Sequence, residues 1–386
     1  MSSFGIAIAL VCSAFLAWSG SRILAIAAQR RSGTLDGTSG GLRKVHVNPT
    51  PRIGGAAIGA GVLGGAMVAI VTQSHLILWI VLVACGAIGL VWGLIEDLSK
   101  RGKILVRLAL PGAAAALGFI LLDARLTKID VPGIDRLLAI DAVSFAFTVF
   151  AVTGVAHATN VIDGLNGLAA FTTMLASIGL AIVAWIVGDS FIFSAACVLA
   201  ASVGGFLLVN FPSGRIFLGD GGAYLIGLLL ALLSVMLVHR NSEVSAWFPV
   251  MLFAYPIWET LFSMYRRKIR GHSTGRADAL HLHSLVYRRV VRWRGHSATA
   301  ADYVTRNSLA SLCLWVLPVL CLSLGLIFWS NSSALQVAGV SFDAFYVVLY
   351  FSLVRFHVPA WLVIRAKGRV EPVAKPGEAD VRTALR

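Results

Sequence analysis

Eleven apolar runs, each close to the roughly 20 residues that a bilayer core asks of a helix, leave this 386-residue chain little choice of fold. Their approximate bounds are 4–28, 54–72, 76–95, 104–122, 142–158, 167–187, 191–210, 220–238, 246–263, 308–329 and 342–365. A soluble domain carries about 25% charged residues; this chain is 13% charged and 58% hydrophobic. The expected fold is an all-α integral membrane protein of about eleven transmembrane helices. The first run has no basic segment before it and no convincing cleavage site, so it reads as a retained span rather than a signal peptide. Residues 1–365 are expected to form one multi-span unit, with 366–386 a flexible cytoplasmic tail.

The connections alternate in charge. One set (29–53, 96–107, 159–166, 211–219, 264–307 and the tail with Arg365) holds 26 of the 32 Lys and Arg. The other holds only Arg125, Lys128, Arg136 and Arg240, while Arg22 and Arg355 lie within spans. Basic connections face the cytoplasm, so the N-terminus is expected outside and the C-terminus inside. The net charge of +14 then reflects cytoplasmic loops and anionic headgroups, and no nucleic-acid partner is implied. The outer connection 123–141 has room for a small hairpin or helix. The five cysteines all lie inside apolar runs without metal-ligand spacing and say nothing of redox compartment.

Every polar motif falls on the cytoplasmic set. The stretch Thr159 to Leu168 (TNVIDGLNGL) is polar where its surroundings are not. Asn160, Asp163 and Asn166 recur every third residue and would share a face on a helical turn, although Asn, Asp and Gly are also ordinary turn formers. Lys44 and Arg52 flank a loop with Pro49, Pro51, Gly54 and Gly55. Gly-rich backbone opening a helix suits an anion; a basic loop holding headgroups is the plainer alternative. Glu96 and Asp97 follow a span side by side, where a cation is their natural company, either Mg²⁺ or Lys100. Asp220 stands among Gly219, Gly221 and Gly222, where it and backbone N–H groups can meet a metal-bound diphosphate. Phe217 could stack on a planar base. No GxxxxGK[ST] loop is present, which disfavours P-loop chemistry. Glu259, one turn inside a span, wants a partner, for which an arginine is expected. His281 and His283 precede several arginines and fit phosphate recognition; two His without Cys do not make a zinc site.

Together these residues resemble the polyprenyl-phosphate N-acetylhexosamine-1-phosphate transferases, which initiate O-antigen, enterobacterial common antigen and teichoic-acid synthesis, with phospho-MurNAc-pentapeptide translocase as a relative. The resemblance runs from about Arg43 to His283. It rests on Asn160-x-x-Asp163-Gly164-x-x-Gly167-Leu168, on Phe217-Leu218-Gly219-Asp220 and on Lys44-Val45-His46 with Pro49-Thr50-Pro51-Arg52-x-Gly54-Gly55. It implies transfer of sugar-1-phosphate from a UDP-N-acetylhexosamine to undecaprenyl phosphate, releasing UMP, with Mg²⁺ required and Mn²⁺ a substitute. It also implies a multi-pass protein of the bacterial inner membrane, working on its cytoplasmic face among membrane lipids, and it admits a homodimer. By motif match Asp220 is the best metal ligand, with Asp97. Glu96, Asp97 and Asp163 form the catalytic carboxylates. Asp163 and Asn160 help bind nucleotide or order the site. Lys44, Arg52, Lys100, Asn166, Phe217, His281 and His283 contact substrate, with Phe217 against uracil and the histidines at the diphosphate.

The departures bear on specificity. Glu96 replaces the usual first Asp, Asn166 a second Asp, Ala279 an Arg, Ser284 a last His, and Glu259 stands where Asp is common. They suggest a specialised O-antigen or capsule initiator using a modified sugar. The rival classes are a transporter of a polyprenyl-linked or phosphorylated solute, which would place polar groups near midspan, and an inactive lipid-binding scaffold.

Overall fold

The computed structural model describes residues 3–29, 50–73, 75–99, 104–269, 271, 280–294, 300–355 and 364–367. In chain order the helices are α1 (Ser3–Gln29), α2 (Gly54–Gln73), α3 (Leu76–Ser99), α4 (Ile104–Leu121), α5 (Ile134–Leu138), α6 (Asp141–Val161), α7 (Leu168–Ile186), α8 (Ser190–Asn210), α9 (Gly219–Arg240), α10 (Trp247–Leu252), α11 (Ala254–Ile269), α12 (Leu282–Arg289), α13 (Ala300–Ile327) and α14 (Ser332–Val354). Each of the eleven apolar runs carries a helix, the last of them described as helical to Val354, and the short α5 occupies the connection 123–141. Among the described residues, nine helices are long and apolar enough to cross a bilayer, and α4 is a shorter apolar one.

Three runs differ from expectation, the tenth by starting eight residues early, at Ala300. The ninth is broken into α10 and α11 at Phe253. Pro256 has no N–H for the Leu252 carbonyl and its ring crowds that oxygen, so the first ladder stops there. The eleventh begins at Ser332 rather than near 342, because the Asn331 side chain caps it, accepting the Ala334 N–H at 3.0 Å. Beyond it, β2 (Ile364–Lys367) pairs in parallel with β1 (Val291–Arg294), a short addition to an otherwise helical fold.

The centre of the bundle is α9. Every residue from Gly221 to Leu237 is buried, as befits a helix that is apolar all round. It packs on α2, α3, α6 and α7. Lipid tails are as apolar as leucine, so close approach rather than water exclusion holds such helices together. Gly93 of α3 supplies that approach. A Cβ there would lie 2.3 Å from the Cα of Gly221, so the last turn of α3 is drawn onto the first turn of α9. That contact brings the segment carrying Asp97 to the segment carrying Asp220.

Candidate active site

The site is built on backbone pairing between two loops. Phe217 N–H donates to the Pro51 carbonyl at 2.9 Å, and Gly54 and Gly55 N–H donate to the Phe217 and Leu218 carbonyls at 2.9 and 3.1 Å. This β-like ladder starts α2 and α9 side by side and sets Arg52 beside the Asp220 turn. At the centre, Gly219 has φ +73°, and a Cβ there would fall 2.6 Å from both the Arg52 carbonyl and Asp97 Oδ2. Only glycine fits this left-handed, crowded position.

Two carboxylates hold the first turn of α9. Asp97 Oδ2 accepts the Gly221 N–H at 3.2 Å, and the Asp163 carboxylate accepts that of Gly219. Negative charge at a helix N-terminus satisfies orphan donors and the helix dipole. Asp220 itself lies on that turn, so three carboxylates from three helix ends converge. Loss of water pushes the Asp163 carboxyl up to about 6; the charge of Arg52 opposes that rise and the charge of Asp220 adds to it. Among the ion pairs formed by the described residues, none includes Asp97, Asp163 or Asp220.

Asp163 does not continue a helix with Asn160 and Asn166. Asn160 lies in the last turn of α6 and hydrogen-bonds the Tyr224 hydroxyl. Asp163 N–H then folds back to the Asn160 carbonyl at 3.3 Å. Asn166, expected at the substrate, is instead 1% exposed behind the loop. Its side chain donates to the Pro212 carbonyl at 3.1 Å, and its own N–H donates to Asn307 Oδ1 at 2.7 Å. Gly167 N–H donates to Asn210 Oδ1 at 2.6 Å, while Asn210 Nδ2 reaches the Ile216 carbonyl. Three consecutive residues of α13 thus tie the site together. Asn307 holds the Asp163 loop, Ser308 holds Pro212 at 2.6 Å, and Arg306 holds the Tyr287 and Val291 carbonyls. Sequence reading missed Asn210 and Asn307; an amide at the end of an apolar run was the available signal.

The histidine segment lies on the same loop. A Cβ on Gly164 would be 2.2 Å from His283 Nε2, and the His281 and His283 rings stack at 5.2 Å. Their anchor is Glu259, which is 1% exposed. The expected arginine partner is not what Glu259 binds. Its Oε1 pairs with His281 Nδ1 at 2.9 Å and accepts the Leu282 N–H at 2.9 Å, and its Oε2 accepts the Tyr346 hydroxyl at 2.8 Å. Arg266 turns instead to the Leu280 carbonyl and the Tyr350 hydroxyl.

Glu96 does not join Asp97. Neighbours on a helix point about 100° apart, and Glu96 pairs with Arg107 of α4. Phe217 is half-buried beside the Asp220 turn. Lys44 and Lys100 lie outside the described residues. Among the described residues no three His, Cys, Asp or Glu side chains stand close enough to enclose a cation. The donor set still suits Mg²⁺, which takes one or two carboxylates and fills its shell with water and substrate phosphate.

Known proteins resemble this arrangement in sequence. Residues 79–238, which include Asp97, Asp163 and Asp220 but not Arg52, His281 or Asn307, match the profile of glycosyl transferase family 4. The chain is 30% identical over 247 residues to the probable undecaprenyl-phosphate N-acetylglucosaminyl 1-phosphate transferase of Bacillus subtilis, covering 62% of this chain and 66% of that protein. It is 28% identical over 346 residues to the decaprenyl-phosphate N-acetylglucosaminephosphotransferase of Mycolicibacterium smegmatis, covering 81% and 80%. It is 26% identical over 250 residues to the phospho-N-acetylmuramoyl-pentapeptide-transferase of Staphylococcus carnosus, covering 61% and 76%.

Proposed function

The chain belongs to glycosyl transferase family 4, and on that premise we propose that it transfers N-acetylhexosamine-1-phosphate from a UDP-sugar to undecaprenyl phosphate. The products are undecaprenyl-diphosphate-sugar and UMP, and the reaction initiates O-antigen or another envelope polysaccharide at the inner face of a bacterial cytoplasmic membrane. The observation that carries this reading is the convergence of Asp97, Asp163 and Asp220 on the N-terminus of α9.

An acceptor phosphate oxygen attacks the phosphorus that bears the sugar. One P–O bond forms, the P–O bond to UMP breaks, and UMP carries away the electron pair. A phosphate ester has its second pKa near about 6, so the acceptor is mostly dianionic at neutral pH and no net proton is released. The obstacle is the meeting of two anions. Asp220 and Asp97 would hold Mg²⁺, which when bound neutralises diphosphate charge. Arg52 and the His281–His283 pair supply further positive or donor groups. Phe217 offers a face to uracil. Asp97 orients the acceptor or removes the last proton from its monoanion. A transporter would concentrate polar groups at midspan, whereas here they gather at one end of the bundle.

The test is purified protein with undecaprenyl phosphate, Mg²⁺ and a panel of UDP-N-acetylhexosamines, following UMP and lipid-linked sugar. Product from one donor, absent without metal and in Asp220→Asn, supports the transferase and names its sugar. Folded protein that releases no UMP from any donor removes it in favour of the transporter or scaffold readings.

A further inference from the structure

The side chain of Glu96 is 3% exposed and is held by a single cation, Arg107, whose own side chain is 43% exposed. A carboxylate withdrawn at a membrane boundary needs such a partner. The arginine does not need this one carboxylate to the same degree, because a guanidinium carries five donors in a fork that matches phosphate. One terminal nitrogen of Arg107 serves Glu96 and its Nε is buried without a hydrogen-bond partner, so the exposed part of the guanidinium is what an incoming anion meets. The backbone beneath is fixed, since the Arg107 carbonyl is hydrogen-bonded to His157 Nε2 at 3.1 Å. The next residue, Leu108, is 48% exposed. An anion reaching Arg107 would thus have an apolar surface on the adjoining face of the helix, about 100° round from the guanidinium. Arg107 also borders the carboxylate cluster. Tyr224 and His157, packed edge to face at 5.2 Å, both lie within electrostatic reach of Arg107 and of Asp220.

We propose that Arg107, steered by Glu96, binds the phosphate of the membrane-borne acceptor, which makes Glu96 a positioning residue and not a metal ligand or catalytic acid. This rests on the transferase reading. A free anion would come from water and a bulk headgroup from any anionic lipid. A phosphate on a long apolar chain meets both the cation and the apolar flank, and arrives beside the acids where its oxygen must attack.

The experiment uses the full chain in phosphatidylcholine nanodiscs, measuring binding of polyprenyl phosphate and of the uncharged polyprenol, with turnover measured in parallel. Arg107→Gln weakens polyprenyl phosphate binding by at least about tenfold, the scale of a lost charged hydrogen bond, and leaves polyprenol binding and the KM for UDP-sugar within about twofold. Arg107→Lys recovers part of the loss. Glu96→Gln raises the acceptor KM, and its rate deficit shrinks as acceptor is raised. The Glu96→Gln/Arg107→Gln pair removes both charges without stranding one, and serves where a single variant misfolds. Unchanged polyprenyl phosphate binding in Arg107→Gln overturns the proposal, as does an equal loss for polyprenol. So does displacement by phosphatidylglycerol at equal concentration, or a kcat loss in Glu96→Gln at saturating acceptor with acceptor KM unchanged. Binding through Arg107 in a wild type that releases no UMP would instead sink the transferase and leave the phosphate site standing.

Discussion

The two ends of the helix bundle treat the same side chain in opposite ways. At one end Asp97, Asp163 and Asp220 crowd the start of α9; Asp97 and Asp163 accept its backbone N–H groups, and the charge of Arg52 reaches both. At the other end three aspartates are paired with cations. Asp123 pairs with Arg125 and His239, Asp130 with Lys128, and Asp189 with Arg240 while also capping α8. Acids matched within the chain stabilise it and have little left to offer a ligand. Three acids gathered around the charge of Arg52 repel one another and invite a further cation from outside, whether a metal ion or a substrate held through it. On the proposed function, the difference separates structural from chemical carboxylates more sharply than burial does, since Asp189 is as buried as many residues around Asp163.

The largest test of that division is a paired substitution. Asp220→Asn is expected to cut UMP release by at least about 10²–10³-fold, the scale of removing a charge-stabilising group, while the metal-free protein melts at the same temperature or higher. Added Mg²⁺ should raise the melting temperature of wild type, because a ligand of the folded state stabilises it, and should do so much less in the variant. Asp189→Ala should do the reverse. Turnover stays near wild type, and loss of the cap lowers stability by about 1 kcal/mol. A dead Asp189→Ala that remains folded would break the comparison.

Much of this was legible in the sequence, for reasons that also mark the limit. A 20-residue apolar run in a bilayer has one stable conformation, so the helices could be read from composition alone. The break at Phe253 was signalled by Pro249 and Pro256, but the length of the run spoke louder. The motif acids were visible because glycine and aspartate are conspicuous between spans. Glu96 was misplaced because adjacency in sequence is divergence on a helix, and only α4 shows where it turns. Asn307 was invisible because its partner Asn166 lies 141 residues away. Its importance belongs to the tertiary fold and to no local pattern.

That hidden tie gives the next effect in size. Asn307→Leu leaves the buried Asn166 N–H without an acceptor, a loss of about 1–3 kcal/mol, and frees the loop that carries Asp163. Turnover should fall by about tenfold or more, since small displacements of positioned groups are costly. The KM for UDP-sugar should rise more than that for the acceptor. Asn307→Asp keeps an acceptor oxygen and should retain more activity than the leucine variant. Equal damage to both variants would make Asn307 a packing residue only.

The smallest effect distinguishes the two ends by the sign of their pH dependence. An unfolded aspartate titrates near about 3.9. Asp163 is raised to about 6 when folded, so its contribution is fully present below about 3.9 and is lost as pH rises through about 6. Asp130 is shifted the other way. Partial burial disfavours its charge, but hydrogen bonds from Lys128 and Ser332 and the charge of Lys128 overcome that and hold its carboxyl below the ordinary range. Its contribution is present above about 3.9 and is lost as pH falls through the folded value. In metal-free buffer, melting curves between about pH 4 and 7 should therefore flatten in Asp163→Asn relative to wild type. Curves below about pH 4 should flatten in Asp130→Asn. If both variants flatten the same arm, the two ends do not differ in how they hold charge, and the carboxylates at the start of α9 are as well compensated as those at the far end.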